Sequence, residues 1–145
     1  MGASTPLYTL KKLQSEFPSK KITSSKDGYE FIRQFYLDDI GVFESFFLLT
    51  LNNSNETTGY FKISQGGITG TVVDIRIVAK YAIENLATGV ILAHNHPSGK
   101  LMPSEQDKAI TKKIKEALRF FDIQVLDHLI LTEQSYYSFA DEGIL

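Results

Sequence analysis

The sequence predicts an α/β domain, a mixed sheet covered by helices, and three observations carry that prediction. Apolar residues recur at helical spacing in three separate segments. Short apolar runs of strand length lie between them. The resulting order of helix, hairpin, helix, strand, helix and closing strands alternates the two element types throughout. At 145 residues the chain is one domain, long enough to bury a sizeable core.

Residues 1–22 read as a weakly specified N-terminal arm, with paired lysines around few apolar residues, and residues 23–145 as the domain itself. Ser24-x-x-Asp27 resembles a capping box, and Tyr29, Ile32, Phe35 and Tyr36 follow at helical spacing, predicting a helix over 25–37. Asp38 to Gly41 breaks it. Phe46 to Leu51 is apolar on both alternating faces, as a central strand is, and Asn52 to Asn55 turns the chain into a partner strand at Thr58 to Ser64. The glycines of Gly66 to Thr71 predict a bulge or a close backbone approach. Asp74 caps a second helix that presents Ile75, Val78, Ala79, Ala82, Ile83 and Leu86 on one face. A third helix runs from Ser104 to about Phe121, with Ile110, Ile114, Ala117, Leu118 and Phe121 inward. Ile123 to Val125, Asp127 to Leu131 and Tyr136 to Phe139 read as closing strands.

The chemistry concentrates between the second and third helices. Val90-Ile91-Leu92-Ala93 predicts a buried strand, placing His94 and His96 at its end. Side chains two apart on a strand share a face, with Cα atoms roughly 7 Å apart, so both imidazoles can converge on one ion while Asn95 points the other way. Pro97-Ser98-Gly99 stops the strand and turns the chain back over its end. Past Pro103, Ser104-x-x-Asp107 opens the third helix, whose first turn can bring Asp107 over the imidazoles. Two neutral imidazoles and a carboxylate form a catalytic zinc set that leaves a fourth position for water. The same Ser104-x-x-Asp107 pattern is also a helix cap, and both roles are compatible.

Composition excludes several other chemistries. Without cysteine there is no disulfide framework, thiolate zinc site or cysteine nucleophile, and the Cys pair of zinc nucleoside deaminases is missing. A net charge of −2 exerts no global pull on nucleic acid or anionic membrane. No apolar run approaches a membrane span and no signal peptide opens the chain, so the expected location is cytoplasmic, with no membrane partner.

The histidine stretch and its neighbours resemble the JAB/MPN, or JAMM, metalloproteases, whose motif is an upstream glutamate, H-x-H, seven residues and S-x-x-D. Here Pro97 to Pro103 supply the seven. Within that superfamily the chain is most similar to the RadC family, through His94-Asn-His-Pro-Ser-Gly99, Gly67-Ile-Thr-Gly-Thr71, Val125-Leu-Asp-His-Leu-Ile130 and Tyr137-Ser-Phe-Ala-Asp-Glu-Gly143, over about residues 23–145. The resemblance implies a cytidine-deaminase-like α/β/α sandwich and one zinc ion on His94, His96 and Asp107. It implies further that Ser104 assists at the oxyanion and that an upstream glutamate activates the water. The family pattern places that glutamate just before the first core strand, at Glu44; spacing alone does not separate Glu44 from Glu30 or Glu56. The implied substrate is a peptide or protein, cut at a peptide or isopeptide bond. Asn95, where many deubiquitinating members have Ser or Thr, fits the RadC branch and weakens any inference of ubiquitin-like substrates. Longer RadC proteins carry an N-terminal helix-hairpin-helix-like region for which this chain has no room, so DNA binding is not carried over.

A nucleic-acid or DNA-repair accessory role is the competing expectation. Its support is the lysine arm and the stripe Lys108, Lys112, Lys115 and Arg119, which reads first as a solvated helix face. His128 reads as a hydrogen-bonded core histidine ahead of a group that supports the ligands.

Overall fold

The computed structural model describes residues 2–9, 11–13, 15–67 and 70–145. Five strands form one mixed sheet in the order β2-β1-β3-β4-β5, with β1 Ser45–Leu51, β2 Thr57–Gln65, β3 Gly89–Asn95, β4 Gln124–Leu131 and β5 Tyr136–Ser138. Only β3 and β4 run parallel; the other neighbouring pairs are antiparallel. Three helices accompany the sheet: α1 Ser25–Arg33, α2 Ile75–Glu84 and α3 Glu105–Arg119. The expected α/β class with a mixed sheet is therefore what the chain adopts.

Strand alternation divides the buried residues into two cores, one on each face. Phe47, Leu49, Leu51, Ile91, Ala93, Leu129 and Leu131 pack with Phe31 and Ile32 of α1. Phe46, Leu48, Val90, Leu92 and Val125 pack with Val78 and Ala82 of α2 and Ile114 and Leu118 of α3. β1 and β3 are covered on both faces, which is why every residue in them is buried and why their sequences are largely apolar.

Several expected boundaries move. α1 stops at Arg33 rather than at residue 37, because Phe35 and Tyr36 donate to Ile32 and Arg33 in tightened i to i−3 turns that lead into a short 3-10 turn at Asp38–Gly41. Its cap is also modified: Ser24 Oγ accepts from Asp27 N, but the Asp27 carboxylate reaches back to the N–H and hydroxyl of Thr23. The two strands expected over 123–125 and 127–131 are one, β4. Val90 pairs with Val125 and Ile91 with Asp127, so Leu126 is an extra residue in the ladder, and this bulge made the strand read as interrupted. Asp127 is buried there, its carboxylate accepting from Ser138 Oγ, Ala140 N and His128 N.

The apolar faces of α2 and α3 are shorter than expected. Leu86 is 85% exposed at φ +54°, past the end of α2, Ile83 is half exposed, and Phe121 lies beyond α3 at 55% exposure. The expected bulge over residues 66–71 includes Ile68 and Thr69, which lie outside the described residues. On either side of them, Gly67 and Gly70 bridge, and a Cβ on Gly66 would run into the Gly70 carbonyl oxygen. Among the described residues no helix is long and apolar enough to cross a membrane.

Candidate metal centre

Register places the histidines. In β3, Leu92 pairs with His128 of β4 and His94 pairs with Phe46 of β1, so His94, Phe46 and His128 point to the sheet face that carries α3. His96 stands one residue beyond β3 instead of inside it, but its N–H still donates to Leu131 O, which holds it in strand alignment. The turn after it closes with Gly99 N donating to His96 O, and Gly99 sits at φ +85°, where a side chain would be strained.

The chain then enters α3 through a full capping box. Ser104 Oγ accepts from Asp107 N at 3.0 Å, and Asp107 Oδ2 accepts from Ser104 N at 2.8 Å. The cap turns the carboxylate toward the strand end. Asp107 Oδ1 lies 3.2 Å from His94 Nε2, Asp107 Oδ2 lies 3.1 Å from His96 Nε2, and the two Nε2 atoms are 3.0 Å apart. Donor atoms bound at 2.0–2.1 Å to a tetrahedral ion would stand about 3.3 Å from one another, close to the separation of the two Nε2 atoms, while the two imidazoles face different oxygens of the Asp107 carboxylate.

Glu44 sits immediately before β1 and faces the same cleft. It brings one carboxylate oxygen within 4.8 Å of donor atoms on both His94 and His96, a grouping compatible with a single metal site. Glu44 is held from two directions. Its carbonyl accepts from Gly66 N and its Oε2 from Thr71 N at 3.0 Å, tying it to the glycine-rich segment. Asn95, pointing away from the histidines, accepts from Ser45 N and donates to the carbonyls of Phe43 and Ile40, so it clamps the main chain on both sides of Glu44.

Burial and charge bias these groups in opposite senses. Burial raises the Asp107 carboxyl, but the adjacent His94 and His96 imidazoles and the hydrogen bond from the Ser104 N–H outweigh it and leave Asp107 far below the usual carboxylate range. Burial lowers the His96 imidazole, while the Asp107 carboxylate and the Lys100 carbonyl, 2.7 Å from its Nδ1, raise it above its ordinary value. The cleft has a volume of about 540 Å³. Besides the polar groups it is walled by Phe46, Val73, Pro97, Met102 and Ile110.

Residues 22–144 match the profile of the RadC-like JAB domain. The chain belongs to that family. Among similar curated proteins is a UPF0758 protein of Flavobacterium johnsoniae, 56% identical over 125 residues that cover 86% of this chain and 54% of the relative. A UPF0758 protein of Porphyromonas gingivalis is 39% identical over 132 residues, 90% of this chain and 57% of that protein. The UPF0758 protein YfjY of Escherichia coli K12 is 45% identical over 102 residues, covering 70% of this chain and 64% of YfjY. The chain thus spans little more than half the length of the first two relatives.

The structure brings all five residues expected of the RadC resemblance, Glu44, His94, His96, Ser104 and Asp107, to the walls of one cleft. Sequence reasoning gave no role to Thr111 or to the Glu44-holding side of Asn95, and it ranked His128 as a core histidine. A signal for Thr111 was present, since it lies four residues after Asp107 and so on the same helix face.

Proposed function

We propose that this RadC-like domain is a JAMM-type metallohydrolase that uses one zinc ion, held by His94, His96 and Asp107, to hydrolyse a peptide or isopeptide bond. The convergence of two imidazole nitrogens and a carboxylate within 3.0–3.2 Å at the floor of a cleft, with a further carboxylate beside them, carries this reading. A cytidine-deaminase-like three-layer arrangement belongs to the same reading and is supported by the separate cores on the two sheet faces.

When bound, the ion supplies a water that loses its proton near neutral pH and a Lewis acid for the carbonyl oxygen. The Glu44 carboxylate receives the water proton and returns it to the leaving nitrogen. Its position is set by Asn95 and Thr71, so little reorganisation is needed at the moment of transfer. Ser104 Oγ accepts from Asp107 N, which leaves its own O–H proton to donate to oxyanion charge. The apolar part of the lining, which includes Val73, Met102 and Ile110, takes up side chains of an extended substrate and excludes water from the reacting bond.

Protein purified without chelators is expected to hold one ion per chain by elemental analysis, and to lose it when His94 and His96 are replaced. A peptide-library screen should then show cleavage by the native protein and none by Glu44→Gln. A protein that holds no ion and cleaves nothing, but binds duplex DNA with a steep salt dependence through Lys108, Lys112 and Lys115, would transfer the reading to a nucleic-acid accessory role.

A further inference from the structure

Behind the cleft, three buried groups form a hydrogen-bonded chain whose polarity can be derived one proton at a time. His94 Nδ1 lies 2.7 Å from His128 Nε2, His128 Nδ1 lies 2.6 Å from Thr111 Oγ1, and Thr111 Oγ1 lies 2.6 Å from the Asp107 main-chain carbonyl oxygen. A carbonyl only accepts, so the single Thr111 hydroxyl proton goes to Asp107 O. Thr111 Oγ1 therefore accepts from His128, whose proton is on Nδ1. His128 is fully buried and stacked on Phe139 with ring centroids 4.7 Å apart, and its two ring nitrogens face only Thr111 Oγ1 and His94 Nδ1, with no carboxylate to balance a charge, so the neutral ring is the form this setting accommodates and its Nε2 carries a lone pair. That lone pair can be satisfied only by a proton on His94 Nδ1. The neutral His94 ring then has its lone pair on Nε2, the atom that faces Asp107 and His96.

We propose that His128 and Thr111 are positioning residues that lock His94 in the Nδ1–H tautomer and so present a bare Nε2 to the ion. The inference rests on the metal-centre reading above and adds a role for the third histidine. His96 is locked in the same sense by a shorter route, its Nδ1 facing the Lys100 carbonyl oxygen, an acceptor only. The longer route has a second consequence. It begins at one ligand, His94, and ends on the main chain of another, Asp107, so the strand end and the first turn of α3 are linked by a buried proton-ordered chain as well as by the ion. Without the lock, a neutral His94 ring is free to carry its proton on Nε2, and ion binding must first move it.

Two measurements test this. In metal-free protein labelled with 15N-histidine, long-range proton–nitrogen correlations should show both His94 and His128 as Nδ1–H tautomers. This needs no variant, and His94 found as Nε2–H overturns the proposal. Second, Zn2+ affinity is measured by competition with a chromophoric chelator for native protein, Thr111→Val and Thr111→Ser. Thr111→Val keeps the side-chain shape and removes the hydroxyl, and should weaken affinity about 10–100-fold, with Thr111→Ser restoring most of it. If the native chain binds one ion and Thr111→Val binds it equally well, the tautomer lock falls while the metal centre stands. If the native chain binds no Zn2+, both fall.

Discussion

Each of the groups around the cleft is constrained by a partner that limits what it can do, which makes the consequences of single substitutions specific. Glu44→Gln keeps the bonds from Gly66 and Thr71 but cannot take a proton. It should lower kcat by about 10²–10⁴-fold with unchanged metal content, measured by steady-state cleavage beside elemental analysis. Asn95 is a different case, because it touches no ligand. Replacing it with Ala strands two carbonyls and one N–H in a buried setting, at a cost of about 1–3 kcal/mol for each group left unsatisfied, and frees the chain around Glu44. Urea denaturation should register that loss, and kcat should fall while Zn2+ affinity holds; an unchanged kcat would mean the clamp serves stability alone. His96 supplies a pH dependence. Its value is raised in the metal-free protein, so below that value a proton occupies the site and the ion must displace it. Apparent Zn2+ affinity should therefore fall by about tenfold for each pH unit below the His96 value and level off above it, as read by chelator competition across pH.

At the scale of elements, the site is a meeting of a strand end with a helix start. β3 contributes its last turn outward, α3 its capping box, and the short connection between them returns through Gly99. The N-cap hydroxyl of Ser104 therefore has two duties. Ser104→Ala should cost about 0.5–2 kcal/mol of stability through the lost cap and also loosen Asp107, so the thermal midpoint and Zn2+ affinity should decline together. The glycine-rich segment acts similarly on Glu44. A Cβ on Gly66 would run into the Gly70 carbonyl oxygen, so the two arms of that segment approach only because Gly66 carries no side chain.

For the molecule as a whole, a rigid two-sided sheet supports chemistry at one end. β1 and β3 are buried on both faces, and Leu92 is fully buried in the second core. Leu92→Ala should destabilise the fold by about 2–5 kcal/mol in chemical denaturation, far more than a change at half-exposed Phe121. Because the three proposed ligands come from the end of β3 and the start of α3, an ion held by them would tie those two elements together. Saturating Zn2+ at about a thousand times its dissociation constant should add about 4 kcal/mol, and chelation should lower the thermal midpoint accordingly in calorimetry.

The sequence by itself determined the element order, the apolar centre of the sheet, and the nearness of His94, His96 and Asp107 at one strand end, since those follow from periodicity and short-range spacing that strand and helix geometry obey locally. It could not show that Leu126 is a bulge joining two apparent strands into β4, because a bulge is defined by the partner strand opposite it. Nor could it rank Glu44 above Glu30 and Glu56 on spacing, or raise His128 above a core histidine. The positions of both residues beside the cleft depend on contacts 27 to 52 residues apart in the chain, from Thr71 and Asn95 to the Glu44 segment and from His128 to His94. Only the tertiary structure decides such contacts, because the pairing of β1 with β3 and of β3 with β4 is what carries remote residues within hydrogen-bonding distance.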